Sequence, residues 1–511
     1  CIEPTTNPVF TYRNVHTVVP ELSLCGPTPS HTRHNIEIRV MRESNEPLSL
    51  AGTPAAPPLG YYSWMLGQAA REPLYVMAVI YIFFPYFSNV VVGDPVRGQT
   101  LIGLLQASSG LIMALTIPFL GSIADKIGQR KPWIISSHVV MGLVAITFWW
   151  MLPEEGGLSL NASLALLLVF LIAFGYAEVF HNAMLPSVAP ANKAGILSGM
   201  AFSAGNLCAI TFMLVILIGF ALPGTQDWSF LPDQTLLGID QSTHGHDRIV
   251  GPIGATWLFL ATLPLVLFTP DSVASKQSIS TAVRQGLGDV VTTVKQLKHY
   301  SNIALYLLAR MFYNDGVMGV VIFSGVYASG TFGWDATSML LLGLCTTASA
   351  MFGVYLGGLL DDKLGSLATL RLAVGLATLT LLALISMQPD TVLFVISVST
   401  EPVWASPYFS TVAEILYFVT FQIFAALALT SLSASRTFMA RICPPEKATQ
   451  FFGLYSLSGT VTLFLGPLMV ASTTDWFQSQ QMGFASLIVL MVIGTAILFR
   501  VKLERATVAP T

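Results

Sequence analysis

The chain has 511 residues, 53% of them hydrophobic and only 10% charged, with a formal net charge of −3. Soluble domains carry about 25% charged residues, so the deficit excludes a soluble globular protein and indicates a polytopic membrane protein. No basic tract stands outside the loops to attract nucleic acid, and five cysteines without a CxxC pair give neither a disulfide framework nor a metal-binding spacing.

Residues 1–58 contain no apolar run and are rich in Pro, Thr, Ser and Asn. They read as a disordered cytoplasmic segment, with no signal-peptide core. The first residue is Cys and the first methionine is Met41, which stands as an alternative start.

Apolar windows of spanning length follow at 73–92, 99–120, 133–152, 162–185, 196–222, 252–269, 303–328, 336–360, 366–387, 411–433, 450–472 and 482–500. Each approaches the roughly 20 residues that a spanning helix needs. The fold class is therefore all-α, with twelve transmembrane helices. A polar stretch divides them six and six, giving an N-terminal half over 59–269, a linker over 270–302, a C-terminal half over 303–503 and a tail over 504–511. Apolar spacings of three and four within the linker predict a surface amphipathic helix. The piece 394–410 joins a short apolar run to a proline-containing stretch and is placed outside the membrane or re-entrant.

Orientation follows from the cations. With the N-terminus inside, the outer loops hold only Arg97 and Arg248 of the 24 Lys and Arg. The inner loops hold Lys126, Arg130, Lys131, Lys193, Lys363, Arg371, Arg436, Arg441 and Lys447. Both termini are expected in the cytoplasm.

Between the second and third windows stands GSIADKIGQRK, residues 121–131, and between the eighth and ninth stands GLLDDKLG, residues 358–365. Both fit G-x-x-x-D-K-x-G, at an offset of 237 positions. One loop repeated at the same place in each half indicates duplication. The glycines permit tight turns, and the aspartate and cations can pair with neighbouring helix ends as an ionic latch.

At these residues the chain resembles the major facilitator superfamily: Gly121, Asp125, Lys126, Gly128, Arg130 and Lys131 fit the first loop signature, and Gly358, Asp362, Lys363 and Gly365 its weaker second copy. FPYF (84–87), HNAMLP (181–186), LSGMAFSAGN (197–206) and YNDG (313–316) resemble the branch named for fungal vacuolar amino-acid effluxers, which has many bacterial members. The resemblance implies alternating access, a monomer, and a cavity lined by the first, fourth, seventh and tenth helices. It also implies the bacterial cell membrane, or the vacuolar membrane in a fungus. At GQAAREP (67–73) the chain departs from the branch: Gln68 replaces an acid, and Arg71 and Glu72 are additions at the mouth of the first helix.

Ionisable groups inside spans cost about 2.5–3.5 kcal/mol each on insertion scales, so they are candidates for function. Glu178 and His181 are three apart, on one helical face. They read either as a proton relay or as a hydrogen-bonded structural pair. Arg310 and Asp315 lie about 140° apart around a helix. Arg310 is within snorkelling reach of the inner face, whereas Asp315 falls near the midplane. The Asn-Asp-Gly run favours a helix break there, which is tolerable only against protein or a watery cavity. The two charges read as cavity lining or as an ionic contact that fixes helix packing. Tyr313, Asn314, Asn182, Asn206 and Gln106 either line the cavity or join helices by hydrogen bonds. Glu414 stands near the outer end of the tenth window, and His244, His246 and Asp247 form a short outer-loop cluster too sparse for a metal site.

These readings converge on a secondary transporter of a small polar solute, an amino acid or similar metabolite, working outward and coupled to protons, with no cofactor. The rivals are an uncoupled facilitator and a membrane sensor or scaffold. No Walker loop, HExxH or nucleophile–base pair in the spans points to a pump or an enzyme.

Overall fold

The computed structural model describes residues 47–503 except 50–51, 128, 154–155, 191, 226–228, 230, 272–296 and 444–447, with the backbone alone at 118–119, 121–127, 195, 298, 448–450 and 452. Residues from Leu48 onward form one compact unit. Twelve helices among the described residues are long and apolar enough to cross a membrane. They are α1 (Pro58–Val91), α2 (Pro95–Ile117, continuing to Ile127), α3 (Lys131–Trp150), α4 (Leu160–Val188), α5 (Ile196–Ala221) and α6 (Gly245–Phe268). After these come α7 (Ser301–Phe332), α8 (Ala336–Leu364), α9 (Ser366–Ile385), α10 (Val412–Ile442), α11 (Gly453–Phe477) and α12 (Gln480–Arg500). The α1–α2 connection marks one end of the bundle, here the distal end. At the proximal end α1 begins and α12 finishes.

α1 starts fifteen residues before its predicted window, at Pro58 instead of residue 73. Tyr61, Trp64, Ala69, Ala70 and Leu74 are all at most 5% exposed. An interior helix needs no continuous lipid-facing run, so hydropathy undercounts it. Arg71 and Glu72 consequently lie inside the helix and not at its mouth. Of the segment before it, only 47–49 and 52–57 are among the described residues. Leu48 bridges Pro54, Ser49 bridges Pro190, and the Ala56 amide donates to the Val188 carbonyl at 3.0 Å.

Farther along, α1 carries π-helical stretches at Val76–Tyr81 and Phe87–Val91. These flank a kink at Ile82 (φ −120°) and the turn holding Pro85. Proline removes a helical amide donor, and π-stretches are a common accommodation.

The predicted break at Asn314–Gly316 does not occur: α7 is helical from Ser301 to Phe332. Its glycines serve close packing instead. A Cβ at Gly316 would meet Met491 Cγ at 2.6 Å, and one at Gly319 would meet Leu487 Cδ2 at 2.6 Å. Thus α12 lies on this face. The interruption falls in α11, which consists of helix Ala448–Thr460, a turn at 461–464, and helix Leu465–Phe477. Gly459, two β-branched threonines and Gly466–Pro467 supply the breaking signals. The linker's predicted amphipathic helix lies outside the described residues, except for a 3₁₀ turn at Leu297–His299. The 394–410 piece begins within a hairpin of β1 (Thr391–Val392) and β2 (Ile396–Ser397) and is irregular after it.

Close approaches between the first six and last six helices gather toward the distal end. Gly325 of α7 faces the Ile80 carbonyl that the α1 π-stretch presents, and Asn89 Nδ2 donates to Ser329 Oγ at 3.0 Å. Gln99 Nε2 donates to Thr474 Oγ1 at 2.8 Å, and Gly103 packs on Pro467 and Ala471. Gly343 of α8 meets Tyr81 and Met213. Toward the proximal end, α1 from Gly60 to Leu74 packs on α4, α5 and α6.

Candidate functional site

Three side chains one turn apart form a chain on α1. Arg71 NH2 donates to Gln68 Oε1 at 2.6 Å, and Gln68 Nε2 donates to Glu72 Oε2 at 2.9 Å. Gly205 lets α5 approach this face, a Cβ there falling 3.2 Å from Glu72 Cβ. Arg71 has no exposed surface, and its Nε and NH1 have no hydrogen-bond partner among the described residues. Each buried donor left unmade costs about 1–3 kcal/mol, and more on a charged group. Its guanidinium lies 5.8 Å from the centroid of Phe174, a ring stacked on Tyr75 at 4.0 Å.

On α4, Glu178 and His181 share a face but do not hydrogen-bond to each other. Glu178 and Asn182 are exposed, whereas His181 is 1% exposed and turned toward α1. His181 Nε2 donates to the Trp64 carbonyl at 2.8 Å, and Trp64 Nε1 donates to the His181 carbonyl at 3.0 Å. The rings stack at 4.7 Å, nearly parallel at 3°. Glu178 and His181 therefore form no hydrogen-bonded pair, and His181 instead clasps Trp64 of α1. His181→Phe keeps the stacking surface and deletes one hydrogen bond, worth about 0.5–1.5 kcal/mol. It should lower the melting temperature by a few degrees and leave transport within about twofold of wild type. A loss of transport in a normally folded variant would restore the relay.

Arg310 and Asp315 both reach from α7 to the interruption in α11, at its two opposite ends. Arg310 NH1 donates to the Tyr455 carbonyl at 2.8 Å and to Ser458 Oγ at 2.9 Å, and the guanidinium lies 3.8 Å from the Tyr455 ring centroid. Asp315 Oδ2 accepts from the Gly466 amide at 2.9 Å. A cation therefore lies one turn in from the carbonyl end of one half-helix, at Tyr455, and an anion meets the amide end of the next. Both are the favourable senses for the helix dipole. Arg310 does not snorkel; it is 8% exposed, and Asp315 3%. No carboxylate among the described residues forms an ion pair with Arg310, so the predicted ionic contact is replaced by backbone charge.

Tyr313 and Tyr306 hydrogen-bond to Ser435 Oγ of α10 at 2.9 and 2.7 Å, and Tyr455 donates to the same oxygen at 3.1 Å. Ser435, Tyr455, Ser458 and Gly466 were missed by sequence reading, because small polar residues carry no signal until a charge points at them. Asn314 is buried in the same turn. Asn206 bonds within its own helix, to the Phe202 carbonyl. Gln106 is buried with its Nε2 unpartnered.

Of the first loop motif, Gly121 is described by its backbone alone, and the side chains of Asp125 and Lys126, and residue 128 altogether, lie outside the described residues. Its last two cations are in place at the proximal end. The Arg130 and Lys131 amides donate to Asp271 at 3.0 and 2.9 Å, capping the start of α3. Lys131 Nζ donates to the Val266 and Thr269 carbonyls at 2.7 and 2.6 Å, capping the end of α6. Arg371 repeats this on α12, donating to Phe499 and Val501 carbonyls at 2.9 and 2.6 Å. In the second motif Gly365 makes the turn at φ +84°, while a Cβ at Gly358 would meet nothing within 4 Å among the described residues. Asp362 and Lys363 are exposed. The ion pair there is made by the preceding Asp361, 3.4 Å from Arg441 of α10, because position 361 faces the bundle and 362 does not.

At the distal end a cavity of about 580 Å³ opens between α1, α7 and the loop before α6, lined by Tyr81, Tyr86, Asn89, His244, Asp247 and Trp334 among others. Asp247 holds His244 at 3.1 Å and His246 at 3.6 Å. Among the described residues no group of three or more His, Cys, Asp or Glu is placed to hold a metal ion. Glu414 closes a capping box with Thr411 and accepts from Trp334 Nε1 at 2.7 Å.

The sequence model of the family described as Vacuole effluxer Atg22 like matches residues 90–510. YxiO of Bacillus subtilis (strain 168), an MFS-type transporter, is 25% identical over 454 residues, covering 87% of this chain and 95% of that protein. Autophagy-related protein 22 of Cryptococcus neoformans is 24% identical over 266 residues, covering 50% of this chain and 44% of the fungal one. Among solved structures, a D-xylose–proton symporter superposes with a TM-score of 0.58 at 13% identity, covering 87% of this chain and 99% of its own. A bacterial homologue of the human lysosomal transporter Spinster, inward-facing and unoccupied, gives 0.58 at 15% identity, covering 87% and 95%. These likenesses show the major facilitator fold.

Proposed function

The chain belongs to the Vacuole effluxer Atg22-like family, and from that premise we propose that this multi-pass transporter of the major facilitator type exports a small polar solute, an amino acid or similar metabolite, in exchange for protons. Two six-helix halves, 59–269 and 303–503, rock about a central site. Both termini face the cytoplasm, and the host is a bacterial cell membrane.

The observation that carries the reading is the bracketing of the α11 interruption by Arg310 and Asp315. A mid-membrane carboxylate that holds a half-helix by its amide end couples protonation to helix position. Ionised, Asp315 accepts a charge-assisted hydrogen bond and complements the dipole of Leu465–Phe477. Protonated, it keeps only a neutral hydrogen bond and no longer complements the dipole, so its hold on that half-helix weakens. The difference is about 1–2 kcal/mol, about a tenfold bias between two conformations, enough to link proton binding to alternating access. Gathering of the inter-half contacts at the distal end supports a resting state closed there.

The test is transport in liposomes holding the purified full chain, with a panel of labelled amino acids and small metabolites, with and without a pH gradient. At least one solute should move, several-fold faster with the gradient, and a protonophore should remove the increment. Movement indifferent to the gradient would leave an uncoupled facilitator; no movement of any solute would end the transporter reading.

A further inference from the structure

Arg71 is the buried charge that the α11 mechanism does not use. It lies wholly inside the bundle between α1 and α4, in a helix otherwise lined with alanine, glycine and aromatic side chains. One guanidinium nitrogen, NH2, is engaged by Gln68 at 2.6 Å; Nε and NH1 have no partner among the described residues. The carboxylates within electrostatic reach are Glu178 and Glu72. Neither forms an ion pair with it, and Glu72 is held by Gln68 Nε2 at 2.9 Å. The side chain is thus fixed in place by Gln68 and by the Phe174 ring, with donors left over for an anionic oxygen. One turn of α4 runs from buried Phe174 to exposed Glu178.

We infer that Arg71 binds the carboxylate of the transported solute, with NH1 and Nε as its donors, and that Glu72 and Glu178 select solutes that also carry a cationic group. The two nearby acids argue against phosphate, whose double charge they would repel, and suit a zwitterion, whose ammonium they would complement. Gln68 is a positioning residue, since it fixes the guanidinium and engages Glu72 at once. This inference rests on the transporter reading, for the ligand is the transported solute.

The experiment is thermal unfolding of the purified full chain with the twenty amino acids, their amides, simple carboxylates lacking an ammonium and inorganic phosphate as probes. Stabilisation reports binding to the folded state. At least one amino acid should raise the wild-type melting temperature by several degrees while its amide does not. Arg71→Gln should weaken the half-saturating concentration at least tenfold, Arg71→Lys less so, and Glu72→Gln should reduce discrimination against carboxylates lacking an ammonium. If Arg71→Gln does not fold, the amino acid–amide comparison on wild type and the lysine variant still decide. Equal stabilisation by acid and amide, stronger stabilisation by phosphate, an unchanged response in Arg71→Gln, or no response of wild type to any amino acid overturns the assignment. Liposome transport separates the two readings: transport that persists in the Arg71 variants sinks the carboxylate site alone, whereas wild-type binding without transport sinks the transporter.

Discussion

Asp315→Asn should give a folded protein whose transport no longer responds to a pH gradient. Asparagine is nearly isosteric, and its carbonyl can still accept from the Gly466 amide, which Asp315 Oδ2 now meets at 2.9 Å. What disappears is the charge and with it the titration. Hydrogen bonds to charged groups contribute about 1.5–3 kcal/mol against about 0.5–1.5 for neutral ones, so the variant should lose about 1 kcal/mol and keep its fold. Asp315→Ala removes the acceptor altogether and strands a buried amide, costing about 1–3 kcal/mol. The two variants separate capping from coupling: Asn should fold like wild type and be uncoupled, and Ala should be uncoupled and less stable. Gradient-driven transport at the wild-type rate in Asp315→Asn would remove the coupling role.

Arg310 and Asp315 were legible as costly charges in a span, but their targets were not. The Asn-Asp-Gly triplet looks like a break, and α7 stays whole there because α12 packs against Gly316 and Gly319. The true interruption sits in α11, where Gly466–Pro467 lies inside an apolar run whose hydropathy conceals it. Hydropathy likewise failed over residues 58–72, since it measures preference for lipid and α1 is buried in protein. The loop repeat was more informative than its own consensus. Lys131 and Arg371 cap corresponding helix ends in the two groups of six, although Arg371 lies beyond the motif. Asp361 forms the ion pair, although the motif points to Asp362. Spacing locates a functional turn; which carboxylate faces inward depends on helix phase, and that needs the neighbouring helix.

Gly325→Ala should open the distal end. The added methyl would land on the Ile80 carbonyl oxygen, which the π-helical stretch of α1 turns toward α7. Neither partner is the end of a flexible side chain, so backbone must move, and overpacking of this kind costs about 1–3 kcal/mol. The cost falls only on the conformation in which α1 and α7 touch. It therefore shifts the balance toward a distal-open state about fivefold to over a hundredfold and leaves overall folding nearly intact. A cysteine placed at Asn89, whose amide now bonds Ser329 at 3.0 Å, in a background freed of the five native cysteines, reports the change. Its labelling by an impermeant maleimide should rise at least fivefold in Gly325→Ala, and transport should fall in parallel because closure is part of the cycle. Gly358→Ala is the matched control. Its Cβ meets nothing within 4 Å among the described residues, and alanine favours the helix by about 1 kcal/mol, so labelling and transport should not change. If both variants label and transport alike, the contact at Ile80 is not a gate, and the distal closure must rest on the α2–α11 contacts instead.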